Sequence, residues 1–257
     1  MIRTDLHMHT CSCDGKNTPE EMVLAALDRG MECIGFSGHS YTPFDESWCM
    51  SKSGTEEYIR EITALKEKYK SRILILCGIE KDLYSPQDTR EFDYVIGSVH
   101  YLKAGERFVP VDESSEILKK AVAEDFGGDW FVLIEEYYRA VSCVVEKTGA
   151  DIIGHFDLVT KFLETDGFPD ITDPRYIAAW KKAADSLLAS GRPFELNTGA
   201  ISRGYRTSPY PERSILEYIR NNGGKLLLSS DSHSTDTIAF DFERYEEYAT
   251  VKTWSRK

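Results

Sequence analysis

Imidazole and carboxylate side chains recur in this chain at spacings that suit metal binding. All six histidines sit in short motifs: His7 and His9 in Asp5-Leu-His-Met-His, His39 in Ser37-Gly-His, His100 in Gly97-Ser-Val-His, His155 in Gly154-His-Phe-Asp and His233 in Asp231-Ser-His. Imidazole is the commonest protein metal ligand and changes charge near neutral pH. A chain that places its whole histidine supply this way reads as a metalloenzyme. His7 and His9 are two apart on a predicted strand, which puts them on one face together with Asp5. Glu80 ends the apolar run Ile73-Leu-Ile-Leu-Cys-Gly-Ile, where an unpaired carboxylate is costly and a cation relieves the cost. Asp231 and His233 repeat the alternating spacing at the last strand. Asp14, in Ser12-Cys-Asp-Gly, reads either as a turn residue or as a ligand. Cys11 and Cys13 follow His9 closely, but harder ligands nearby suffice.

Those residues need elements to hold them. The apolar pattern predicts strands over 2–9, 33–37, 72–80, 94–99, 151–155, 194–197 and 225–229. Helical patterns lie between them. Thr18-Pro-Glu-Glu predicts a capping box with proline at the first helical position. Thr55 is the expected cap of a helix carrying Tyr58, Ile59, Ile62, Leu65 and Tyr69. Further helices are predicted over 130–147, from Asp173-Pro174 to Gly191, and from Pro211 to Asn222-Gly-Gly. Seven strands alternating with helices imply a mostly parallel α/β sheet. The candidate ligands fall at the C-terminal ends of six of those strands. An open doubly wound sheet gathers its ligands near one switch point, so this spread favours a closed or nearly closed barrel with the site at its mouth. No repeat or linker divides the chain, and 1–257 is read as a single domain.

The bulk properties narrow the function. At 257 residues the chain can bury about three quarters of its unfolded surface, and its six cysteines show no framework spacing. The net charge of −12 argues against a broad nucleic-acid or membrane surface. Apolar runs such as Ile73–Leu76 and Leu226–Leu228 are too short to span a bilayer. The N-terminus opens without an apolar signal core, so a cytoplasmic location is expected. Homodimerisation is compatible with a barrel enzyme, but no stretch marks an interface.

Taken together, Asp5-Leu-His-Met-His-Thr, Phe36-Ser-Gly-His, Gly78-Ile-Glu, Gly97-Ser-Val-His, Gly154-His-Phe-Asp and Ser230-Asp-Ser-His resemble the polymerase and histidinol phosphatase (PHP) family of metal-dependent phosphoesterases. The resemblance runs from Ile2 to about His233. It implies a distorted (β/α)7 barrel with three divalent ions, Zn, Fe or Mn, at the C-terminal mouth. By motif, the first ion would take His7, His9, Glu80 and Asp231. The second would take Glu80, His100 and His155, with Glu80 as the bridge. The third would take Asp14, His39 and His233. Within the family, three stretches are similar to its stand-alone histidinol phosphatases: Phe92 to His100, Gly154 to Phe162, and Glu195-Leu-Asn-Thr-Gly through Arg203-Gly-Tyr-Arg to Pro209-Tyr-Pro. Many relatives carry aspartate where this chain has Gly38.

The reaction implied is hydrolysis of a small phosphomonoester, L-histidinol phosphate first, by in-line attack of metal-activated water. Glu80, Asp231 and Arg203 are the candidate catalytic residues. Guanidinium matches phosphate in a bidentate way. Arg203 is therefore the first candidate for a phosphate clamp, followed by Lys161 and Arg206, against the plainer reading of each as a solvated surface charge. Asp157 is a candidate acceptor orienting His155, or a partner for a substrate amine. Competing readings keep the cluster but change its use: a phosphoesterase acting on nucleotides or oligonucleotides, an amidohydrolase, or a non-catalytic metal-binding protein. An amidohydrolase calls for eight strands and commonly a carboxylated lysine, whereas seven strands are predicted here with Glu80 in the bridging slot.

Overall fold

The computed structural model describes residues 2–164 and 168–254. Among the described residues nine strands form: β1 (Thr4–Asp5), β2 (Cys33–Phe36), β3 (Leu74–Asp82), β4 (Tyr94–Ser98), β5 (Tyr101–Ala104), β6 (Arg107–Pro110), β7 (Ile152–Ile153), β8 (Phe194–Asn197) and β9 (Leu226–Ser229). Seven of them make one sheet in the order β1-β2-β3-β4-β7-β8-β9, and β5-β6 is a separate hairpin. Every pairing in the seven-stranded sheet is parallel. The two edges meet. His9 N donates to Ser232 O at 2.7 Å and Ser232 N donates to His7 O at 3.1 Å. The sheet is thus a nearly closed, distorted (β/α)7 barrel.

Helices flank the strands for reasons written in their termini. Thr18 and Glu21 form the reciprocal capping box, with Pro19 opening the helix Pro19–Asp28. Asp173 caps Pro174–Leu188 in the same style. The helix Lys52–Tyr69 is capped by Ser51 rather than Thr55. Thr55 instead turns inward and donates its hydroxyl to Ser51 O. That helix buries Thr55, Tyr58, Ile62, Leu65 and Tyr69 along one stripe, the spacing of a helix lying on a sheet. None of the described helices is long and apolar enough to cross a membrane.

Several boundaries differ from the sequence expectation. The first strand is only two residues long, because the chain from Leu6 to His9 is shared between two neighbours. Met8 O accepts from Ser37 N on one side, while His9 N turns to Ser232 O on the other. The predicted helix over 130–147 is two helices, Trp130–Val141 and Val144–Thr148, broken at Ser142 and Cys143. The hairpin β5-β6 and the helix Ser115–Glu124 were not predicted. The helix predicted from Pro211 begins at Arg213, with Glu212 as its cap.

The barrel interior is filled by Leu6, Cys33, Tyr94, Ile96, Ile152 and Leu227. Tyr94 is the largest of these. Its hydroxyl donates to Leu6 O at 2.5 Å. Gly35 and Gly78 make room for its ring: a Cβ at either would lie 2.2 Å from a Tyr94 atom. Period-two alternation then carries the same inward face from Tyr94 through Ile96 to Ser98, and from Gly78 to Glu80, up to the mouth.

Candidate metal centre

Glu80 stands at the middle of the mouth, 1% exposed. Its Oε1 accepts from Ser98 Oγ at 2.6 Å and lies 2.9 Å from His155 Nε2. His100 Nε2 is 3.4 Å from the same oxygen. The other oxygen, Oε2, lies 3.0 Å from His39 Nδ1, 3.2 Å from His7 Nε2 and 3.5 Å from His9 Nε2. Asp231 closes the set from the last strand, with Oδ1 at 3.3 Å from His9 Nε2 and 3.6 Å from His7 Nε2. Asp231 holds a φ of +49°, a region that non-glycine residues seldom adopt. Gly199 leaves space for it, since a Cβ there would sit 2.8 Å from Asp231 Cβ. Asp14 lies at the rim, 3.2 Å from His233 Nε2 and 3.6 Å from His39 Nε2.

The outer hydrogen bonds fix which nitrogen each ring presents. His7 Nδ1 is 2.7 Å from Glu195 Oε1. Proton donation to that carboxylate leaves the His7 Nε2 lone pair aimed at Glu80 and Asp231. Glu195 also accepts from the backbone N of His155 at 2.9 Å and from Ser229 Oγ. Asp82 accepts from His100 N at 2.9 Å and lies 3.4 Å from its Nδ1. His233 Nδ1 lies 2.9 Å from both Asp231 O and Arg203 Nη1. Only with Nδ1 donating to the carbonyl is the His233 Nε2 lone pair free towards Asp14.

Several buried atoms at the centre lack a hydrogen-bond partner among the described residues: Nε2 of His7 and of His9, Nδ1 of His39, and Glu80 Oε2. An unsatisfied buried polar group costs about 1–3 kcal/mol, and these converge on one small volume. Potential ligand atoms lie within 4.8 Å of one another in three groups: His9, Asp14, His39 and His233; His7, His9 and Glu80; His39, Glu80 and His100. Mixed imidazole and carboxylate donors suit Zn, Fe or Mn. The donor set therefore fits divalent ions.

The protonation pattern says the same. Burial alone would push the Glu80 carboxyl up, yet His7, His39 and His100 hold it well below the ordinary range. Burial would likewise lower His7, but Glu195, Glu80 and Asp231 override it and raise the ring well above its usual value. His39 is raised to about 9 by Asp14 and Glu80 against the effect of burial. His9 goes the other way, lowered to about 3 by burial and by the neighbouring His233 and His39. Protons on the rings supply positive charge that the carboxylates demand and that cations would supply instead.

The candidate phosphate residues divide. Arg203 reaches the centre: Nη2 donates to Asp231 Oδ2 at 3.0 Å and Nη1 to Asp231 O at 3.0 Å, with its side chain 28% exposed. Lys161 Nζ donates to Asp112 O at 2.6 Å and lies over the Tyr205 ring. Arg206 is not presented to the mouth. Its guanidinium is buried, donates to Thr160 Oγ1 at 2.7 Å and Ser208 Oγ at 3.2 Å, and pairs with Asp157. Asp157 meets that pair and Glu212 N through Oδ2; its Oδ1 and His155 Nδ1 each lack a hydrogen-bond partner among the described residues, so the two are not hydrogen-bonded to each other. Asp5 also departs from expectation. It accepts from Ser230 and from Ala239 N, tying the first strand to the last segment rather than facing the histidines.

Cys13 Sγ lies 3.6 Å from His9 Nδ1, but burial pushes its thiol up to about 12, which keeps it neutral. The space beside Gly38 is filled by Met50, whose thioether would lie within 3.2 Å of a Cβ there. Glu195, Asp82, Ser98 and Trp48 were missed as contributors. The signal for the first three was parity: each is two residues from a singled-out or matching inward position on its strand. The buried Arg206–Asp157 pair leads to a stability prediction. Arg206→Ala is expected to destabilise the fold by about 3–5 kcal/mol, the cost of stranding a buried charge, as read from urea unfolding. A change within about 0.5 kcal/mol, typical of surface sites, would refute it.

Comparison with known proteins places this geometry. The PHP domain model matches residues 5–199. The "Probable histidinol-phosphatase" of Deinococcus radiodurans is 30% identical over 249 residues, covering 93% of this chain and 89% of that protein. A Listeria monocytogenes structure described as a "putative histidinol phosphatase" superposes with a TM-score of 0.82 at 21% identity, covering 94% of this chain and 99% of that one. The histidinol phosphate phosphatase of Lactococcus lactis, solved with Zn, L-histidinol and phosphate, superposes with a TM-score of 0.72 at 22% identity, covering 98% and 94%. A barrel of seven parallel strands, a histidine and carboxylate cluster at its mouth and a family match over most of its length make this chain a member of the PHP domain family.

Proposed function

We propose that this chain is a metal-dependent phosphatase that hydrolyses L-histidinol phosphate to L-histidinol and phosphate. The observation that carries the reading is the convergence of buried, unpartnered ligand atoms around Glu80 at the mouth of the barrel. The substrate is suggested by relatives that match nearly the whole chain and bear that activity in their names. The reading takes 1–257 as one domain acting in the cytoplasm on a small phosphorylated substrate.

The proposed ligand sets are His7, His9, Glu80 and Asp231; Glu80, His100 and His155; and Asp14, His39 and His233. When bound, divalent ions supply acidified water and positive charge for phosphate oxygens. The chain's own residues do the positioning. Glu195 holds the His7 ring through Nδ1 and the backbone of His155, so one carboxylate aligns ligands from two strands. Asp82 holds the backbone N of His100 and lies 3.4 Å from its Nδ1. Arg203 is the proposed phosphate clamp, because it borders Asp231 and remains partly open to the mouth. Phosphoryl transfer depends mainly on such positioning and charge neutralisation.

The direct test is turnover of L-histidinol phosphate beside nucleotides and sugar phosphates. Activity should be lost on chelation and return with Zn or Mn; preference for nucleotides would displace the proposed substrate, and activity indifferent to chelation would sink the metal mechanism. Glu195→Gln should weaken metal retention by about 10–100-fold in competition with a chromophoric chelator, and unchanged retention would remove Glu195 from its aligning role. Arg203→Ala should cut kcat/KM by about 10–100-fold, the worth of one charged hydrogen-bonding group. Full turnover at unchanged KM would exclude it as the clamp.

A further inference from the structure

The opposite end of the barrel holds a cavity of about 790 Å³, within the ~300–1,000 Å³ of small-ligand sites. Asp93, Asp151, Pro193 and Lys225 line it, and each stands immediately before one of β4, β7, β8 and β9. The metal centre lies at the other ends of the strands, with Tyr94 and its apolar neighbours between.

The C-terminal segment builds one wall. Leu226 N donates to Thr250 Oγ1 at 2.9 Å, and Val251 N donates to Leu226 O at 3.0 Å. That anchoring carries Trp254 across the barrel floor, where its ring meets Tyr94 at 6.2 Å between centroids. Trp254 Nε1 is buried with no acceptor among the described residues, an unspent donor on a lining residue. Phe92, Pro193 and Val251 add apolar surface.

The charge of this cavity runs against that of the chain. The protein carries −12 overall, yet the lining holds Arg90, Arg192, Lys225 and Lys252 against Asp93 and Asp151. Both carboxylates are already engaged. Asp93 Oδ2 accepts from Lys66 Nζ at 2.6 Å and from Cys77 N at 2.8 Å. Asp151 accepts from Val95 N at 3.2 Å and from Arg192 Nη1 at 2.8 Å. Arg90 is met by Asp88. Lys225 makes one long hydrogen bond, to Gly191 O at 3.4 Å, and has no carboxylate partner among the described residues. Glu246, the carboxylate in electrostatic reach of Lys252, lies outside the lining. The floor of such a barrel ordinarily serves stability, and gathered like charges do not. Unmatched cations beside an indole suit a flat anionic ligand. Phosphate takes lysine and arginine donors, and a nucleobase stacks on an aromatic face whatever its identity. A single-ring carboxylate would leave most of the volume and some of the cations unused.

We propose that this cavity is a second binding site, for a nucleoside phosphate, with the base against Trp254 and the phosphate between Lys225, Arg192 and Lys252. The site is remote from the metals and separate from turnover at the mouth. Its occupant would brace the C-terminal segment against the barrel floor.

The test is calorimetric titration of the metal-loaded enzyme with the methylene analogue of adenosine diphosphate, whose P–C–P bridge a phosphatase cannot cleave. Lys225→Glu and Lys252→Glu, both at exposed positions, should each weaken binding about tenfold or more, as for loss of a charged hydrogen-bond donor, and leave kcat/KM for L-histidinol phosphate unchanged. Trp254→Ala should weaken binding by about tenfold through lost stacking. Arg203→Ala should leave it unchanged. Binding that survives both lysine variants, that Arg203→Ala abolishes, or that competes with L-histidinol phosphate would place the nucleotide at the mouth and overturn the proposal. Absence of binding at millimolar nucleotide, or equal affinity for inorganic phosphate alone, would overturn it too. Turnover of L-histidinol phosphate is read separately, so each of these outcomes leaves the phosphatase reading standing.

Discussion

A carboxylate cut off from water sits where seven strands converge, and its charge has to be met. Removing an ion from water costs several kcal/mol even after the surroundings relax. Glu80 is 1% exposed, and among the described residues no lysine or arginine hydrogen-bonds or ion-pairs with it; rings of His7, His9, His39, His100 and His155 surround it instead. Imidazole can answer a carboxylate in two ways, by taking a proton or by sharing a cation. Much of the surrounding architecture serves the second way. Strand closure brings the first and last strands together, and Glu195 and Asp82 turn the rings so that their free lone pairs point inward.

The two loop arginines show how the same residue type is used for opposite ends. Arg206 is enclosed with Asp157, Thr160 and Tyr210, and there it holds the loop after β8 against the turn that follows His155. Arg203, three residues earlier, bends over Asp231 and keeps an open side. The first ties the loop down three residues from the second. A positioned guanidinium contributes more than a mobile one because less rotamer freedom is lost on binding.

The barrel and most of its centre were legible in the sequence because both rest on simple periods. Alternation by two residues placed Glu80, Asp231 and the paired histidines at strand ends, and β8 was delimited without error. Asp5, placed by the same parity on one face with His7 and His9, spends its carboxylate on Ser230 and Ala239 N. Arg206 failed for another reason. Burial of a charge depends on a partner 49 residues away, and no local pattern announces that. The hairpin β5-β6 and Trp48 were likewise hidden, because their roles come from aromatic contacts between distant loops.

Tyr94 has a bearing on traffic through the molecule. Its ring, seated between Gly35 and Gly78 and hydrogen-bonded to Leu6, fills the middle of the barrel, with Ile96, Ile152 and Leu227 packed around it. Among the described residues, these side chains close the barrel axis at that level, which leaves the mouth as the way in and out. For the proposed reaction, two products of unequal size and opposite charge would then share one exit, and the order in which they depart would become a property of the doorway rather than of the bond that was broken.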